Sequence, residues 1–95
     1  WLEYIGKGWR PFVMNAIIEI EDLGGRITQV KEKFGGLRIY YTTSMIVPET
    51  YDKINLIVDN AEKECNKICE ECGRPGQLRS IGGWYKTRCE ECVLS

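Results

Sequence analysis

Cys69-Glu70-Glu71-Cys72-Gly73-Arg74-Pro75-Gly76, answered after a further stretch by Cys89-Glu90-Glu91-Cys92, decides how this chain is read. Sixteen residues separate the two Cys-x-x-Cys pairs, a spacing that suits a four-thiolate zinc site because each pair wraps one edge of a tetrahedral ion. Gly73 lets the chain turn so that backbone N–H groups face the sulfurs, and Pro75-Gly76 completes a tight turn. Gln77 to Ile81 and Trp84 to Arg88 flank Gly82-Gly83, the pattern of a short hairpin with a two-residue turn. Knuckle, hairpin and second knuckle together predict a zinc ribbon or a shortened treble-clef module. Disulfides and a redox dithiol are the competing readings. The first belong to oxidising compartments, and no charged-then-apolar leader is visible from Trp1 onward; the second would sit at a strand end in a βαβ unit that the pattern lacks. Four sulfurs leave the ion no open position, so the expected Zn2+ at Cys69, Cys72, Cys89 and Cys92 is structural.

Working outward, the 68 residues before the first pair read as a compact α/β core. Pro11 suits the first turn of a helix whose Val13, Ile17 and Ile20 recur at helical spacing until Gly24-Gly25 ends it. Glu19, Glu21 and Asp22 fall on its solvated side. Arg26 to Phe34 and Leu37 to Thr43 are rich in β-branched and aromatic residues around Gly35-Gly36, which predicts a hairpin with those glycines as its turn. That register pairs Phe34 with Leu37, Glu32 with Ile39 and Val30 with Tyr41 on an inward face. Lys33 then lies across from Arg38 and Lys31 across from Tyr40 on the outward one. A lone Glu32 on the apolar face is costly unless paired, and like charges across strands repel. Either the register shifts, or Lys31, Lys33, Arg38 and Tyr40 form a basic, aromatic-bearing surface for an anionic partner, with Glu32 ion-paired internally.

Pro48 opens a second helix, with Tyr51, Ile54, Val58, Ala61, Cys65 and Ile68 as one apolar stripe running on toward Cys69. Cys65 on that stripe is expected to be a small core residue rather than a ligand. The lead-in aromatics Trp1, Tyr4 and Trp9, with Ile5, are expected to cover one end of the core, and Trp84 to pack on the knuckle. The whole is expected to be one α+β domain over 1–95: helix, hairpin, helix, and a zinc-binding module over 69–92 packed on the residues before it.

Thirteen Lys and Arg against fourteen Asp and Glu give a formal charge of −1, and metallation of four thiolates would bring it to about −3. Nucleic-acid binding would therefore need a local basic face rather than bulk attraction. The chain has no histidine, which removes the commonest general base, the serine-protease type of triad and mixed Cys/His ligation. No acid–base pair, phosphate loop or activated nucleophile is evident either, so a non-enzymatic role is expected. No stretch is apolar enough to cross a bilayer, and a cytoplasmic location is expected.

The run Gln29-Val30-Lys31-Glu32-Lys33-Phe34-Gly35-Gly36-Leu37-Arg38-Ile39-Tyr40-Tyr41, followed by a helix, Cys-x-x-Cys-Gly-x-Pro-Gly and Gly-Gly-Trp-Tyr-x-Thr-x-Cys-x-x-Cys, resembles a family of small phage and prophage proteins. The likeness spans roughly residues 8–92. Many members of that family end their metal motif with Cys and His, and the all-cysteine ending here departs from them while keeping a tetrahedral site. A small, acidic, metal-stapled phage protein is similar as a class to the anti-CRISPR proteins. The resemblance thus implies an inhibitor that binds a host protein such as an RNA-guided nuclease in the bacterial cytoplasm. The residues alone leave a second reading, a DNA- or RNA-binding zinc module using Lys31, Lys33, Arg38, Tyr40 and the basic residues around Trp84.

Overall fold

A computed structural model describes residues 2–43 and 47–94. Trp1 and the Met45 end of the link between hairpin and second helix lie outside the described residues. After a short 3-10 turn over Leu2–Tyr4 come α1 (Arg10–Asp22), β1 (Arg26–Lys33), β2 (Gly36–Thr42), α2 (Pro48–Cys65), β3 (Gln77–Ile81), β4 (Trp84–Arg88) and α3 (Glu90–Leu94). This is the expected α+β order with two separate two-stranded antiparallel sheets.

Helix α1 has Pro11 in its first turn and turns Val13, Ala16, Ile17 and Ile20 inward. Its end is closed by Gly24 at positive φ and by the Gly25 N–H donating to the Ile20 carbonyl at 2.9 Å, the reach-back that satisfies an orphan carbonyl of the last turn. Helix α2 buries Ile54, Val58 and Cys65, with Ala61 half-buried. Both helices lie on one face of the β1–β2 hairpin, and the core they enclose runs from Ile5 and Trp9 through Val13, Ile20, Val30, Leu37 and Ile39 to Ile54 and Cys65. On β2, the Ile39 N–H finds the Glu62 carboxylate of α2 at 3.1 Å, so the helix satisfies a donor the sheet leaves unpaired.

The hairpin register differs from the sequence reading. Lys33 pairs with Gly36, Glu32 with Leu37, Lys31 with Arg38 and Val30 with Ile39, so the two turn residues are Phe34 and Gly35, at φ 54° and 81°. This arrangement sets buried Val30 against buried Ile39 and turns Phe34 out to solvent. Burial of apolar pairs outweighs the roughly 1–2 kcal/mol cost of a left-handed non-glycine residue. A bulge between Ile27 and Gln29 then returns Ile27 to the core.

Two further expectations are corrected. Helix α2 stops at Cys65 rather than running into Cys69: a turn intervenes, and Ile68 forms an isolated bridge with Pro75. Tyr51, at the start of the predicted stripe, is exposed and meets the Tyr41 ring at 6.2 Å between centroids. Cys65 is a core residue, fully buried, and burial pushes its thiol up to about 12.

Candidate metal centre

The segment that follows α2 folds back on itself through backbone bonds. Cys69 N–H donates to the Arg74 carbonyl at 2.7 Å, Gly73 N–H to the Cys69 carbonyl at 3.0 Å and Gly76 N–H to the Lys67 carbonyl at 2.8 Å. This closes the knuckle that carries Cys69 and Cys72. Strands β3 and β4, joined by Gly82-Gly83 as the sequence predicts, bring Cys89 back beside it. Cys92 follows one turn into α3, where the Val93 N–H reaches the Cys89 carbonyl. Knuckle, hairpin and short helix, in that order, follow the treble-clef alternative rather than two knuckles on a ribbon.

All four sulfurs lie within 4.8 Å of one another, and those of Cys72 and Cys89 are 3.5 Å apart. A disulfide requires about 2.05 Å, whereas four thiolates at about 2.3 Å from a tetrahedral ion sit roughly 3.8 Å from one another. The cluster therefore has the dimensions of a metal site, and all five cysteines are free thiols. Burial opposes ionisation of Cys69, but backbone N–H groups of Cys89, Cys72 and Glu71 and the neighbouring Cys92 thiol hold it down to about 6. Cys92 is pushed the other way by the sulfurs of Cys89 and Cys69 crowded against it. One thiolate is thus readily formed and the next resisted by its neighbours. A bound cation reverses that resistance.

The site is joined to the core at two places, and neither was legible as a contact in the sequence. On one side the lead-in chain lies directly on the knuckle: the Gly8 N–H donates to the Glu70 carbonyl at 2.8 Å, and the Trp9 indole donates to the Ile68 carbonyl at 2.8 Å. A Cβ at Gly8 would stand 2.0 Å from the Cys69 carbonyl oxygen and 2.4 Å from Gly73 N; one at Gly6 would meet the Glu70 carbonyl at 2.0 Å. Only a chain lacking side chains there can approach so closely. The signal was two glycines spaced around Lys7 next to a tryptophan, which read as an irregular aromatic lead-in.

On the other side the two hairpins meet. The buried Thr87 hydroxyl of β4 donates to the Gly35 carbonyl at 2.6 Å, and a Cβ at Gly35 would stand 2.5 Å from Leu78 Cδ1. Glu32, expected to need an internal partner, has two: one oxygen accepts the Gly35 N–H at 2.8 Å and the other pairs with Lys86 of β4 at 3.3 Å. Beneath it Glu70 is buried at 4% exposure, its carboxyl raised by burial against the pull of Lys86 and Arg88. Arg88 approaches it at 3.5 Å and also pairs with Glu71.

Comparison with protein-family models, with curated proteins and with solved structures finds no match for this chain. Among the described residues no helix is long and apolar enough to cross a membrane.

Of the remaining sequence-predicted site residues, Lys31 and Arg38 are cross-strand partners, and the Lys31 ammonium lies 5.5 Å from the centre of the Tyr40 ring. Lys33 lies opposite Gly36 rather than Arg38 and reaches over the Phe34 ring at 5.8 Å. Among the described residues none of these three cations has a carboxylate in ion-pair range, whereas Lys86, Arg74 and Arg88 all do. Trp84, expected on the knuckle, is instead 73% exposed. Trp9 and the lead-in backbone cover the knuckle in its place.

Proposed function

We propose that this chain is a non-catalytic binding protein whose C-terminal module is held by a structural Zn2+ on Cys69, Cys72, Cys89 and Cys92. The observation that carries this is the convergence of four thiols within 4.8 Å from a knuckle and from the start of a helix. All-sulfur donors favour Zn2+ among abundant divalent ions and, with four bound, leave no position for substrate or water. Purified protein is expected to hold one zinc per chain by native mass spectrometry and to lose it with Cys69→Ser. A fully folded metal-free protein with an unchanged melting temperature contradicts the reading.

The partner implied by the family resemblance is a host protein, most narrowly an RNA-guided nuclease of the bacterial cytoplasm that the chain would inhibit. A pull-down with the metallated protein, run with and without nuclease digestion, tests it. A nuclease subunit retained after digestion supports inhibition, and no complex with any tested effector counts against it. A second reading, direct nucleic-acid binding, is favoured by the uncompensated Lys31, Lys33 and Arg38 beside exposed rings.

A further inference from the structure

The tips of the two hairpins face each other across a cleft of about 350 Å³ walled by Phe34 on one side and Trp84 and Tyr85 on the other, with Glu32, Lys33 and Gly83. A second hollow of about 360 Å³ lies on the far flank of Phe34 and is lined by Lys33, Gly35, Gly36, Arg38, Asn66 and Leu78. Lys33 and Phe34 line both hollows. Both Phe34, at 69% exposure, and Trp84 present their rings to solvent.

The register that buries Val30 against Ile39 puts position 34 in the turn, but it does not require a phenylalanine there. Both hairpins use two-residue turns with two positive φ angles, and in the second both places go to glycine, Gly82 and Gly83. In the first, phenylalanine takes the left-handed place at φ 54°. Such a residue costs conformational energy and, here, leaves an apolar ring in water. Strain of this kind is retained where a side chain must be aimed.

We propose that this cleft is a stacking site for unpaired bases of single-stranded nucleic acid, with Phe34 and Trp84 as platforms and Lys31, Lys33 and Arg38 meeting the phosphates. The proposal rests on the second reading above, direct nucleic-acid binding, and names the form of nucleic acid and the groups that meet it. Exposed rings interleaved with cations match flat bases strung on an anionic backbone. The carboxylate in the cleft wall does not oppose this, because Glu32 is held by the Gly35 N–H and Lys86. An acidic overall charge does not oppose it either, since the three free cations gather on one hairpin.

The test uses the whole zinc-loaded chain and a fluorescein-labelled deoxythymidine oligomer of about a dozen nucleotides, with an equally labelled duplex as control, read by anisotropy at low and physiological salt. Saturable binding of the single strand is expected, weaker for the duplex, lost as salt rises, and accompanied by quenching of tryptophan emission as Trp84 stacks. Phe34→Gly removes the ring where glycine suits the backbone. It should melt no lower than the parent yet bind roughly tenfold or more weakly, and Lys33→Ala should lower the salt slope by about one. No binding at low salt, or equal binding by Phe34→Gly, overturns the proposal. So does a host protein captured by the parent and lost by Phe34→Gly when no oligomer binds. Zinc content and melting are read on the same samples. A loaded, folded protein that ignores the oligomer therefore refutes the stacking site and leaves the structural-metal reading standing.

Discussion

The two halves of this molecule are held by different forces. Before Cys69, thirteen buried hydrophobic residues form one cluster. After Ile68, the buried positions among the described residues are Cys69, Glu70, Thr87 and Cys89, while Leu78, Trp84 and Tyr85 turn outward. One half has an oil-like interior and the other has sulfur, a buried carboxylate and backbone hydrogen bonds. A module without an apolar centre cannot offset its own ordering entropy. What the core lends it through Gly8, Trp9 and Gly35 supplies part of its order, and the ion proposed for the four thiols would supply the rest. Phe34 and Trp84 come from different halves, so the face that carries them depends on the joint as well as on the order of each half.

That contrast can be broken most severely at the metal. Cys69→Ser should remove the ion and lower the melting temperature by ten degrees or more, since structural zinc contributes on the order of 10 kcal/mol to folding in comparable small modules; calorimetry of the metal-loaded parent and variant checks it. Next in size is the joint itself. Gly8→Ala forces a methyl group onto the Cys69 carbonyl and should cost about 3 kcal/mol, read from the shift of the urea midpoint. Thr87→Val keeps the shape but leaves the Gly35 carbonyl without its donor, an expected loss of about 1–2 kcal/mol. The smallest effect has the opposite sign. Phe34→Gly should stabilise by up to about 1 kcal/mol, because the left-handed turn position no longer carries a side chain. A fall in melting temperature there would mean that the ring packs rather than waits for a ligand.

The same division explains what could be read from the sequence. Patterns dictated by local chemistry were legible: Pro11 and Pro48 opening helices, the Val13-Ile17-Ile20 stripe, the Gly82-Gly83 turn and the paired cysteines. The Gly35-Gly36 turn misled because local chemistry favours two glycines in a two-residue loop, whereas the burial of Val30 against Ile39 selects the neighbouring register and puts Phe34 in a left-handed place. That one shift moved Phe34 from strand to tip and Lys33 away from Arg38. Trp84 was misplaced for a related reason. The knuckle needed a cover, and nothing in the local sequence said that Gly6, Gly8 and Trp9, some sixty residues earlier, would supply it. Contacts made by backbone approaching backbone leave only glycines as their trace.

Hydrogen–deuterium exchange by mass spectrometry, on the zinc-loaded chain and again after chelation, tests the dependence of the second half on its metal most directly. Chelation should bring amides of residues 67–94 to near-solvent exchange while those of α1, β1 and β2 keep most of their protection. Unchanged protection across 67–94 after confirmed loss of the metal would contradict it.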